Sequence, residues 1–116
     1  MENTKSLSKL SATEIVKEVT AGRLSAVEIM QSCIDRVEEV EPEIHAWEYF
    51  SKEKAIKQAQ LIDGKIKRKE NLGALCSVPV GIKDVFNTED MPTCMGSPLW
   101  AGFTPGNDAR AVTYIR

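Results

Sequence analysis

One local signal occurs twice near the start of this sequence and constrains its fold more than anything else in it. Ser11-Ala12-Thr13-Glu14 and Ser25-Ala26-Val27-Glu28 are both capping boxes. In such a box the serine hydroxyl accepts from the N–H three residues on, and the glutamate reaches back to the serine N–H. Leu10 with Ile15, and Leu24 with Ile29, stand at the positions of a hydrophobic staple around each box. Two consecutive amphipathic helices follow. Ile15, Val16 and Val19 form the apolar face of the first, and Gly22 is placed to cap its C-terminus. Met30, Cys33, Ile34 and Val37 stripe the second at the 3.6-residue period, and Pro42 is expected to end it. A third helix is predicted over residues 51–68, with Ala55, Ile56, Ala59, Ile62 and Ile66 on one side. Gly64 weakens its last turns by about 1 kcal/mol relative to alanine.

The grammar changes near residue 70. Residues 1–70 hold 25 of the 32 charged side chains and only three of the twelve Gly and Pro. The first part therefore reads as solvated helices, and residues 71–116 read as strand and loop, where function concentrates. Val78-Pro79-Val80-Gly81-Ile82-Lys83 alternates with period two and is expected to form a strand, with Pro79 at its start or edge. Residues 84–106 are loop-rich, and Asn107 or Asp108 is placed to cap a last helix from Ala109 onward. That helix meets no stop signal before Arg116, which predicts a chain cut inside a longer protein.

Charge and composition remove several function classes. A net charge of −2 gives no electrostatic case for nucleic acid. No apolar run approaches the ~18 residues of a membrane helix. The N-terminal stretch lacks an apolar signal core, so a cytoplasmic location is expected. Cys33, Cys76 and Cys94 are odd in number and show no CxxC spacing, which fits free thiols in a reducing compartment rather than a disulfide scaffold or a zinc site. His45 is the only histidine, so a multi-His metal site or a His-dependent triad is not expected. With no G-x-G-x-x-G and no P-loop, no cofactor is expected either. Ser97 lies in Met-Gly-Ser-Pro, which is not the G-x-S-x-G elbow. Lys83 is the only lysine after Lys69 and ends the apolar stretch just before the loops. It is either a solvated strand-end lysine or, where burial neutralises it, a base or Schiff-base amine.

The residues Leu75-Cys76-Ser77-Val78-Pro79-Val80-Gly81-Ile82-Lys83-Asp84, with the later Pro92-Thr93-Cys94-Met95-Gly96-Ser97 and Asn107-Asp108-Ala109, together resemble the amidase signature family. The upstream helices and Asp63 fit the same pattern. The resemblance implies an α/β fold, a mixed sheet covered by helices. Of that fold this chain would supply the N-terminal helical segment and the first strand or strands. On this reading residues 1–116 form one partial amidase domain, helical over 1–70 and strand and loop over 71–116, with no separate second domain.

The resemblance further implies a hydrolase acting on amide carbon–nitrogen bonds of small-molecule substrates. Its machinery is a nucleophilic serine, a second serine in a cis peptide, and a lysine, and Lys83 matches the lysine. A lysine in that role must be neutral to accept a proton, which burial favours, and Val80, Gly81 and Ile82 form an uncharged setting. Two departures stand out. Ser77 occupies the position where the family usually has a glycine two residues before the proline, and Gly73-Ala74 replaces a frequent Gly-Pro. The family's Gly/Ser-rich segment, with both serines and the oxyanion hole, would lie beyond residue 116, so the chain by itself is expected to be inactive. One family member is the A subunit of glutamyl-tRNA amidotransferase, and a fragment like it is an alternative reading, whereas residues 91–97 look more like the general amidases. The competing reading is a non-catalytic helical module that binds a partner through its first two helices. An unpaired strand edge at 78–82 also predicts self-association.

Overall fold

Both capping boxes form, and they set the helical frame. The computed structural model describes residues 6–116. The helices are α1 (Ala12–Thr20), α2 (Ala26–Ile44), α3 (Lys52–Lys67) and α4 (Arg110–Ile115), with 3-10 turns at Leu7–Lys9 and Pro98–Trp100. The chain divides into two compact units. One holds the residues up to Ile44 together with Ser51–Pro79, and the other holds His45–Phe50 with Val80–Arg116.

In the first unit, Glu14 N–H donates to Ser11 Oγ at 3.2 Å, and Ser11 N–H donates to the Glu14 carboxylate at 2.6 Å. The second box repeats this between Ser25 and Glu28, at 3.1 and 2.8 Å. The Ser25 backbone N–H, and then its hydroxyl, hold the Glu28 carboxyl below its ordinary range. A contribution from far along the chain completes the start of α2. The Asp63 carboxylate, on α3, accepts from Ala26 N–H at 2.7 Å and Val27 N–H at 3.2 Å. All four amides that a helix start leaves without an internal acceptor are thus satisfied, and a carboxylate stands at the positive end of the α2 dipole.

Helix ends are equally well defined. α1 closes in a Schellman turn. Gly22 has φ +71°, its N–H reaches Val19 C=O at 3.0 Å, and Arg23 N–H reaches Glu18 C=O at 3.0 Å. α3 closes in the same way with Lys69 at φ +55°, so Gly64 does not end it early. Pro42, expected to terminate α2, lies inside it, and the helix runs on to Ile44. A proline in the last turn removes only one N–H, and termination falls to His45, whose φ is +50°. The Lys52 ammonium pairs with the Glu38 carboxylate and ties the start of α3 to α2.

The core of this unit is Ile15, Val19 and Ile29, with Leu7, Leu10, Leu24, Ile66 and Val78 packed on it. All four staple residues belong to that cluster. The signals that start the helices therefore also aim their apolar faces at each other.

The α/β expectation is corrected by the structure. Among the described residues there is no strand and no sheet, and the ordered elements are helical. Residues 78–82 are non-helical coil. A period-two pattern supplies one pleated face, but a strand exists only as a paired ladder. Here Val78 N–H bonds to Leu75 C=O at 3.0 Å in a local turn, and Pro79 has no N–H to offer. The alternation places Val78 and Val80 on one buried face, yet Val78 packs on the core and Val80 is 45% exposed. No helix among the described residues is long and apolar enough to cross a membrane.

Candidate functional site

The second unit is built from loops, and polar side chains buried among backbone groups hold it together. Thr93 is 1% exposed. Its N–H donates to Phe103 C=O at 2.8 Å, and its hydroxyl donates to Phe86 C=O at 3.1 Å. The Thr88 hydroxyl likewise donates to Met91 C=O at 2.9 Å. In a segment without a ladder, these bonds do the satisfying that neighbouring strands would otherwise do.

Lys83 and Asp84 stand where the extended stretch turns into these loops. Phe86 N–H returns to Lys83 C=O at 3.1 Å, closing a tight turn. The Asp84 carboxylate accepts from Cys94 N–H at 2.8 Å, and its backbone carbonyl accepts from Met95 N–H at 3.1 Å. The adjacent carboxylate is therefore engaged by one backbone donor, the Cys94 amide. The Cys94–Ser97 turn it grips is closed by Ser97 N–H to Cys94 C=O at 3.0 Å. Met95 and Gly96 have φ of +53° and +68°, the pattern of a type I′ turn.

Lys83 is exposed. It lines a concavity of about 320 Å³ with His45, Trp47, Glu48, Asp84, Met95 and Gly96. Trp47 lies over the Gly81 backbone, where a Cβ would come within 3.1 Å of the indole, so a larger residue would make the ring give by a few tenths of an ångström. Trp47 also packs against Phe50, with centroids 5.5 Å apart. The structure thus brings together Lys83, Asp84 and the Met95-Gly96 corner from the sequence motif. It adds His45, Trp47 and Glu48, which the motif did not contain. No local signal marks Trp47 for this place, because its contact is with a residue far along the chain.

The sequence offers Asn107 or Asp108 as the cap of α4, but the helix starts at Arg110 with Ala109 at its cap position, and neither side chain caps it. The Asp108 carboxylate accepts from Glu89 N–H at 2.7 Å and from the Arg116 guanidinium at 2.6 Å. The Glu89 backbone bond leads in holding this carboxyl below its ordinary range. The residue before α4, Ala109, instead donates its N–H to Asn87 C=O at 3.0 Å. Among the described residues no group of three or more His, Cys, Asp or Glu is arranged to hold a metal ion, and the three cysteines are free.

Ser77 has a physical explanation. Its φ is +68°, in the left-handed region where a side chain costs roughly 1–2 kcal/mol, and this is the position where the resemblance leads one to expect glycine. Ser77→Gly is expected to stabilise the chain by about 0.5–1 kcal/mol, the strain relief less the extra chain entropy of glycine. Urea denaturation of the two proteins side by side measures this. A lower midpoint for the glycine variant would contradict it.

Comparison with known proteins places the sequence in a family. The Amidase family profile matches residues 28–116. The A-type subunit of glutamyl-tRNA(Gln) amidotransferase from Streptomyces coelicolor is 40% identical over 108 residues, covering 93% of this chain and 22% of that protein. The protein of the same name from Thermobifida fusca is 41% identical over 110 residues, 95% of this chain and 22% of its own length. The one from Clostridium botulinum strain Hall is 38% identical over 110 residues, 95% and 23%. The chain therefore spans less than a quarter of the length of the curated relatives it matches. No solved structure matches it significantly. With the family pattern matched over more than half of its residues, Lys83, Asp84 and the Cys94–Ser97 turn among them, the chain belongs to the amidase family.

Proposed function

We propose that this chain is the lysine-bearing portion of a longer amidase that cleaves or transfers the nitrogen of an amide bond, with Lys83 as the base. The observation that carries the reading is the placement of Lys83: an exposed amine at the edge of a concavity, next to a carboxylate already occupied by the Cys94 amide. The family resemblance supplies the remaining parts, two serines that lie outside this chain.

In the reaction the nucleophilic serine oxygen attacks the amide carbon. Its proton passes to the bridging serine, whose own proton passes to the Lys83 amine. As the tetrahedral intermediate collapses, the proton returns along the same relay to the leaving nitrogen, and an acyl-enzyme remains for water or another nucleophile. In the longer protein the serine-bearing part would cover Lys83 and exclude water from the relay. Large apolar side chains left exposed in the same unit suit such a covering. Trp100 and Phe103 form an edge-on pair at 5.3 Å and are 44% and 41% exposed.

The relatives favour a second, narrower reading. They are named as subunits of glutamyl-tRNA(Gln) amidotransferases, so the longer protein would be one component of an assembly that moves amide nitrogen between molecules. Ammonia release from glutamine, asparagine and simple aliphatic amides tests both readings. The longer protein is expected to release ammonia and the 116-residue chain alone is not. Amide turnover by the chain alone would overturn the proposal.

A further inference from the structure

Asp84 is bonded in a way that a spacer residue would not need. Its carboxylate and its own carbonyl accept from two consecutive amides, Cys94 N–H at 2.8 Å and Met95 N–H at 3.1 Å. The first of these bonds is charge-assisted and so among the stronger of its kind. Two anchors on one residue leave its backbone little freedom, and the planar peptide before it carries that constraint directly to Lys83. The other side of the grip is also stiff. Met95 and Gly96 are both held at positive φ, a conformation that a methionine adopts only when its surroundings impose it. Both residues line the same concavity as Lys83. Moving the lysine backbone relative to that corner would break one of the two bonds.

We infer that Asp84 is a positioning residue for the amidase reaction: its grip on the Cys94-Met95 amides sets where the Lys83 amine stands. This rests on the assignment of Lys83 as the base. Nothing in the inference requires the Asp84 carboxylate to touch substrate or to exchange a proton. What it needs is an acceptor oxygen at the present distance, which asparagine also supplies and glutamate, one methylene longer, displaces.

The test compares Asp84→Ala, Asp84→Asn, Asp84→Glu and Lys83→Ala in the longer enzyme, with kcat and KM measured separately for ammonia release. Misplacing a reacting group by about 1 Å costs on the order of 10²-fold. Asp84→Ala is therefore expected to lose about that factor in kcat with KM within roughly threefold, and Asp84→Asn to recover most of it. Where Asp84→Ala does not fold, the order of the other two decides, with asparagine expected above glutamate. Full activity of Asp84→Ala beside an inactive Lys83→Ala would overturn the positioning role alone. So would a glutamate variant that outperforms asparagine, because the charge would then matter and the place of the acceptor would not. An active Lys83→Ala would instead overturn the base assignment, and this inference with it.

Discussion

Lys83→Ala in the longer amidase is expected to lower kcat/KM by about 10²–10⁴-fold, the usual contribution of a positioned general base. Lys83→Arg is expected to do no better, since a guanidinium stays protonated and accepts nothing. The fold should survive both changes. Lys83 is exposed, and the hydrogen bonds of this segment run through its backbone carbonyl and through Asp84. Steady-state kinetics with a melting curve for each variant separates loss of chemistry from loss of fold. Activity within about tenfold of the parent for either variant would place the base elsewhere.

The second large effect concerns stability. Asp63→Ala is expected to destabilise the first unit by roughly 3 kcal/mol, given about 1.5–3 kcal/mol for a hydrogen bond to a charged group. Two amides at the start of α2 lose their acceptor together. One belongs to Ala26, which is 3% exposed, so water cannot easily replace the carboxylate. Loss of the negative charge at the helix start adds a few tenths of a kcal/mol. Asp63→Asn keeps an acceptor oxygen without the charge and should cost about half as much. Ser25→Ala, which removes the serine part of the same cap, should cost about 1 kcal/mol. Hydrogen exchange at the Ala26 and Val27 amides locates the effect. Unchanged protection there in Asp63→Ala would mean that the long-range cap contributes nothing.

These two cases show which parts of the protein its sequence displays. The starts of α1 and α2, their staples and the Gly22 cap are legible because every partner lies within about five residues. Sequence separation hides the rest. The Asp63 cap joins residues 37 apart, and Trp47 comes to lie over Gly81 without any local pattern announcing it. The expected strand at 78–82 fails for the same reason. Alternation describes a face, whereas a ladder needs a neighbour that the described residues do not include, and Val78 turns to the helical core instead. Asp108 shows local propensity losing to stronger partners. It has the right type to cap, but α4 starts one residue later than expected, with Ala109 at its cap position, and the Glu89 amide and the Arg116 guanidinium claim the Asp108 carboxylate. Ser77 lies between the two extremes. A departure from an expected glycine points at that position, and the positive φ explains why glycine belongs there.

The most direct test of the division of labour proposed here is covalent. A fluorophosphonate probe reacts with an activated serine, and peptide mass spectrometry then identifies the labelled residue. In the longer amidase the account predicts stoichiometric labelling of a serine outside these 116 residues, lost in Lys83→Ala. In the 116-residue chain alone it predicts no labelling. Stoichiometric labelling of Ser97, or of any other serine in this chain, would contradict the assignment of Lys83 as its one member of the catalytic triad.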